Sequence, residues 1–521
     1  MSSRRQWRAA VVMAAVALAL SACGGGGGDG DSADASKGDP VEGGSVSLIQ
    51  MSEPRILDPA VMTNGLATNS VVGNALFGTL LSDKADGTFD YGLAESMESS
   101  DGGTTWKLTL RDGITFSDGS PMDAEDVAYN WERTKQPELG SQTATVANYL
   151  DELKPDGQVL TFTLTEPIAN FGNAITFYTL NWIAKPEALE AGQAEFDKNP
   201  IGAGPFTLKS WTRGGEMVLE KNPEYYDAPK PYLDQLVLSA NAEEAQRLST
   251  VQSGGADGTL TNDAAVYKRG LADGLKGLTQ HLSGGVMVIM NNRFAPFDDP
   301  RAREAVAKAV DLDAVNDAAY EGEGTVPKTL FTKGSLFYSD TPLTSYDKEG
   351  AQKLFDELAD EGKPVSFTFS AFQSSQSRRV GEAVQAQLSA YDNVKVKVEV
   401  LDYAAAIAKS NAREFQMTQG GVGFVDPEVV LYEQLHSGTV GNVAGVSDDK
   451  LDAALERGRT SSDVDERKEA YVEVAKRFSE LNPALLNIAW TNALAYDPQT
   501  AGYVQYGNAS IRVDGVWTTK K

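Results

Sequence analysis

A single cysteine in 521 residues leaves no intrachain disulfide to form, so side-chain packing must hold the fold. Only two histidines are present, His281 and His436, far apart and outside any His-Glu-x-x-His arrangement, which removes the usual material of a zinc site. His436, in "QLHSGTVGN", reads as a loop cap rather than a metal ligand. There is no Cys-x-x-Cys, no Gly-x-Ser-x-Gly, no P-loop and no Gly-x-Gly-x-x-Gly after a strand. The residue patterns thus supply no nucleophile, nucleotide or metal chemistry, and no cofactor is expected. A carboxylate pair of the glycosidase kind needs no motif, and 73 acidic residues leave that one enzyme reading open.

Positive charge is also scarce. Lys and Arg number 46, the formal net charge is -27, and loss of the three arginines before residue 23 would take it to about -30. Such a surface argues against nucleic acid or anionic lipid as a partner. Beyond residue 23 no apolar run approaches the roughly 20 residues that a membrane span needs.

The N-terminus holds the exceptions. Arg4, Arg5 and Arg8 precede an apolar stretch, Ala9 to Leu20, too short for a permanent span, which is the pattern of a secretion signal over residues 1–22. Leu20, Ser21, Ala22 and Cys23 resemble the lipobox of bacterial lipoproteins, and that resemblance makes Cys23 a lipid attachment point; a free thiol beside an ordinary cleavage site is the other reading. The Gly/Asp/Ser tract to residue 44 has the composition of a flexible tether.

The rest of the chain has α/β texture and no internal repeat. In "TTWKLTLRDGITFSDGSPMDAEDVAYNWER", Trp106, Leu108 and Leu110 alternate with polar residues as in a half-buried strand. Arg111-Asp112-Gly113 predicts a turn into a short strand, Ile114 to Phe116, closing a hairpin. Asp123 can cap a helix with Asp126 in its first turn and Val127 and Trp131 on one face. In "FDDPRAREAVAKAVD", Asp298 or Asp299 caps, Pro300 suits the first turn, and Ala302, Val306, Ala309 and Val310 share a face. Val380, Val384 and Leu388 mark another helix, followed by Val394, Val396, Val398 and Val400 alternating with charges as in a strand with one wet face.

Several of these pieces carry a family resemblance. "LRDGITFSDGSPMDAEDVAYNW" closely resembles the signature of the family 5 extracytoplasmic solute-binding proteins, the peptide, nickel-chelate and opine binders that feed ABC importers. "LDPA" with "GNALFGTLL", "NPIGAGPFTLKSW" and "MNNRFAPFDDPRAREAVAKAVD" match in the family's order, and the resemblance covers residues 45–520. It implies an α/β, two-lobed fold of the periplasmic-binding-protein type II kind, with an extra inserted domain and a ligand cleft between the lobes. Domain I is expected over 45–78, 198–288 and 493–521, inserted domain II over 79–197 and domain III over 289–492. Two crossings, near 281–291 and 487–495, would form a hinge.

The implied function is capture rather than catalysis. The resemblance points to a monomeric lipoprotein on the outer face of the cytoplasmic membrane, held by its lipid alone, that passes a small or oligopeptide solute to an ABC permease. A peptide-sensing receptor or a secreted hydrolase on the same scaffold are the alternatives. Dipeptide-binding relatives pair the ligand carboxylate with an arginine at the start of a domain III helix, where "SSQSRRVGEAVQAQL" places Arg378 and Arg379; solvated helix-end charges are the other reading of both. Peptide-binding relatives also carry Trp-x-x-Asp before an Asp-Pro-like turn, and here those positions hold Gly420 and Gly423, ahead of Asp426-Pro427. The expectation is a roomier site lined by Phe424, Tyr432, Trp490 and the Thr63-Asn64 loop, with Asp426 either substituting for the missing carboxylate or serving only its turn.

Overall fold

The structure is a computed structural model that describes residues 38–66, 69–280 and 282–520. Cys23, the segment before it, most of the tether and His281 lie outside the described residues. Three sheets carry the architecture. Seven strands form the first, in the order Lys276–Thr279, Ala493–Tyr496, Gly258–Thr261, Ser45–Gln50, Gln235–Ala240, Met217–Lys221 and Phe206–Trp211. Five form the second, in the order Val394–Leu401, Val365–Phe372, Met417–Phe424, Ser283–Met290 and Ala484–Ile488. Four antiparallel strands between residues 94 and 164 form the third.

Local signals account for many elements. Asp123 accepts from Glu125 N at 2.8 Å while its own N–H donates to Asp126 at 2.9 Å, so both ends of the capping box are made before helix Ala124–Arg133. That helix turns Val127 and Trp131 fully inward, and Trp131 stands edge-on to Phe162 at 5.2 Å. Asp299, not Asp298, caps helix Pro300–Ala309, accepting from Arg301 N at 3.0 Å. Val380, Val384 and Leu388 are buried on helix Ser375–Leu388, and Val394–Leu401 lies at the edge of its sheet, parallel to Val365–Phe372.

The hairpin expected at residues 105–116 does not form. Strand Thr105–Leu110 instead pairs on one edge with Ala94–Ser99 and on the other with Val159–Leu164, so no edge is left for Ile114 to Phe116. The latter folds back on itself about Asp118-Gly119, through Phe116 N to Ser120 O at 2.8 Å and Met122 N to Ile114 O at 3.1 Å, and buries Ile114 and Phe116 as anchors.

Two connections join the seven- and five-stranded sheets. Lys276–Thr279 continues through residues 280–282 into Ser283–Met290, and Ala484–Ile488 continues through 489–492 into Ala493–Tyr496. The strands entering and leaving are paired on both sides: Thr279 opposes Ala493 in one sheet, and Val286 opposes Ile488 in the other. The two connections therefore run side by side.

Candidate functional site

A cavity of about 280 Å³ opens beside the second connection. Glu244 and Asp263 line it from the side of the seven-stranded sheet, while Tyr320, Arg379 and Val286 line it from the side of the five-stranded sheet. Trp490, on the connection itself, completes the wall.

The position of Trp490 follows from what strand Met417–Phe424 lacks. The indole Nε1–H donates to Val422 O at 3.0 Å. A Cβ at Gly421 would lie 2.4 Å from Trp490 Cζ2, and one at Gly423 would lie 2.8 Å from Trp490 Cδ1, far inside contact distance. Gly420 is kept bare by a different neighbour, since its Cβ would meet Ile289 Cδ1 at 2.5 Å. Contrary to the expectation from the sequence, these glycines do not leave the site roomier: the space at Gly421 and Gly423 is filled by the nitrogen edge of the indole, and that at Gly420 by Ile289.

The two candidate arginines part company. Ser374 caps helix Ser375–Leu388 by accepting from Ser377 N at 3.1 Å, and Ser377 Oγ donates to Gln419 on the neighbouring strand, which fixes the start of the helix. Arg378 points along the exposed face toward Glu382, 3.9 Å away. Arg379 lines the cavity, with no hydrogen-bond or ion-pair partner among the described residues. The acids opposite are already engaged. Glu244 holds Arg247 at 2.7 Å and accepts from Thr261 Oγ1 at 2.6 Å, while Asp263 accepts from Val266 N at 3.0 Å as the cap of helix Ala264–Ala272. Asn487 donates to the Tyr320 hydroxyl at 3.1 Å, and burial pushes that phenol up to about 12.

The remaining sequence candidates lie elsewhere. Phe424 is fully buried against Phe331 in the core. Arg467 donates to both carboxylate oxygens of Asp426, at 2.7 and 2.9 Å, and the same carboxylate accepts from Glu428 N at 3.0 Å. Asn64 is buried and donates to Thr176 O at 2.8 Å, while Thr63 accepts from Asn69 Nδ2 at 3.3 Å. Tyr432 is buried under the guanidinium of Arg459, 4.0 Å from its ring centroid.

Arg459 belongs to a second contact zone that no sequence pattern signals. Its guanidinium lies between Tyr432 and Tyr149, the latter 4.3 Å away and itself donating to Glu433 at 2.5 Å. Ala169 N donates to Arg459 O at 3.0 Å, so backbone as well as side chains join the segment around residues 149–170 to the helices after residue 424. Val429 is buried among the apolar side chains of residues 80–183, and Phe177 packs against the core beneath the five-stranded sheet. Glu428 is enclosed here, with Arg459 Nε 3.5 Å away but no hydrogen bond to either oxygen. Loss of hydration outweighs that distant charge and pushes its carboxyl up to about 8. Among the described residues, no group of three or more His, Cys, Asp or Glu is placed to hold a metal ion, and no helix is long and apolar enough to cross a membrane.

Separate α/β layers joined by two adjacent connections, with a cavity at the joint, define a type II periplasmic-binding-protein fold. The chain belongs to the bacterial extracellular solute-binding proteins, family 5, whose middle region it matches over residues 88–442. It is 24% identical to the oligopeptide-binding protein AppA of Bacillus subtilis (strain 168) over 520 residues, 94% of each chain. Its fold is similar to that of AgaA in complex with agropinic acid from A.tumefacien R10, with a TM-score of 0.76 and 25% identity over 92% of this chain and 99% of that one. It is also similar to DppA from Helicobacter pylori in complex with the peptide STSA, with a TM-score of 0.77 and 21% identity over 92% of this chain and 99% of the other.

Proposed function

We propose that the protein is a lipid-anchored receptor that captures a peptide or peptide-like solute between its two lobes and delivers it to an ABC importer. Domains I and II, within the boundaries set out above, form one lobe and domain III the other, and the paired connections act as the hinge. The observation that carries this reading is a guanidinium unpaired among the described residues, Arg379, facing a cavity at the joint between two separately built sheets. A planar, fixed-charge donor without a partner suits an anionic group of a solute through its bidentate fork. The relatives support the same reading: one is named for oligopeptides and another holds agropinic acid. Cys23 provides the anchor, with the tether between it and the lobes. Sugars and metal chelates belong to the solutes to be tested.

A thermal-shift panel of di- to nonapeptides, opines, sugars and nickel chelates tests this function. A true solute at a hundred times its Kd stabilises the protein by about 2.7 kcal/mol and raises the melting temperature. The Arg379→Gln variant, whose own melting point should stay unchanged, loses most of that rise. A panel without any shift contradicts capture of these classes.

A further inference from the structure

We propose that Trp490 sets the solute class, making the cleft a site for a solute that joins one anionic group to a flat ring. This inference rests on the capture function proposed above and adds the identity of the solute's body. The indole is held on two counts. Its N–H is bound to Val422 O at 3.0 Å, and its nitrogen edge lies where side chains at 421 and 423 would collide with it. A ring fixed in this way loses little freedom when a solute stacks on it, because its ordering cost is met by the fold. Trp490 is only half-buried, and its uncovered part borders the cavity. A half-buried indole whose N–H is already satisfied offers apolar and π surface but no donor, which favours a flat apolar face over an aliphatic amide.

Arg379 supplies the complementary polar contact. Glu244 and Asp263, the acids on the facing wall, are committed to Arg247, Thr261 and the cap of helix Ala264–Ala272. The exposed Glu321, also on the cavity wall, meets any second negative group with repulsion. One anion per solute is therefore the favoured count. The cavity, near 280 Å³, has room for a ring and a short acid together.

The test is calorimetry on the mature full chain with three probes. Hippurate carries ring and carboxylate, N-acetylglycine the carboxylate without the ring, and benzamide the ring without the carboxylate. Hippurate should bind at least tenfold more tightly than either of the others. Trp490→Ala should lower hippurate affinity at least tenfold, to the level of N-acetylglycine, while Trp490→Phe keeps the preference for the ring. Arg379→Gln should bring hippurate down to benzamide. The melting point and circular dichroism of each variant show that it is folded, and the Phe variant keeps the test decisive if the Ala variant is not. Equal binding of hippurate and N-acetylglycine, an effect of Trp490→Ala within twofold, or no hippurate binding overturns the inference. If other solutes from the panel bind while hippurate does not, the capture function stands and only the solute class fails; if nothing binds, both fail.

Discussion

Arg467→Ala is expected to lower stability by about 3–5 kcal/mol, the usual cost of leaving a buried charge without its partner. Arg467 is 3% exposed, and its guanidinium holds both oxygens of Asp426, donates from Nε to Gly458 O at 3.0 Å and lies 4.7 Å from the centroid of Phe337. Without it the Asp426 carboxylate would face Glu428 and Asp83 with nothing positive in contact, in a region where burial already raises both of those carboxyls. The loss is read by urea unfolding at pH 7. Arg467→Met combined with Asp426→Asn should recover part of it, since removing both charges also removes the desolvation that the pair offsets. A loss below about 1 kcal/mol for Arg467→Ala would place the pair in solvent-screened surroundings, contrary to its burial.

The second large effect is a pH dependence centred on Glu428. Its carboxyl is raised from 4.5 to about 8. Between those values the unfolded chain has released the proton while the folded chain keeps it, so stability falls as pH rises and levels off above about 8. The slope from this one group cannot exceed about 1.4 kcal/mol per pH unit. Arg459 and Arg467 oppose the shift, Asp426 and Glu433 reinforce it, and burial decides its sign. Glu428→Gln keeps the shape and removes the titration. The variant should therefore match the parent near pH 4.5 and exceed it by several kcal/mol at pH 8, with melting curves at the two pH values as the readout. Parallel pH profiles for the two proteins would show that Arg459 keeps Glu428 ionised in the fold.

Elements whose cause is local were legible in the sequence. The Asp123–Asp126 box, the cap and buried face of Pro300–Ala309 and the Val380, Val384, Leu388 stripe each depend on residues within one or two turns, and each formed as read. Ile114 to Phe116 departs from the expected hairpin because the edges of Thr105–Leu110 are taken by strands Ala94–Ser99 and Val159–Leu164, which nothing in residues 104–133 announces. The site divides along the same line. Asp426 before Pro427 was readable as a turn residue, but Arg467, which engages its carboxylate, lies 41 positions away. Gly423 was readable as a missing side chain, whereas its cause, the Trp490 indole, comes from the far connection. Phe424 and Tyr432 carry no mark that separates a core-facing from a cleft-facing ring. Arg459 sits among ordinary helix-surface residues in "LERGRTSSD", and only the fold brings it between two tyrosines.

Native mass spectrometry of the mature protein, purified from its own cell envelope without denaturation, tests solute capture most directly. A discrete non-covalent mass beyond the polypeptide and its lipid is expected on the parent, and its loss is expected in the Arg379→Gln, Trp490→Ala double variant. A bound mass that persists unchanged in that variant would place the solute outside this cavity, and a parent that carries no added mass and stays silent in the thermal-shift panel would contradict solute capture itself.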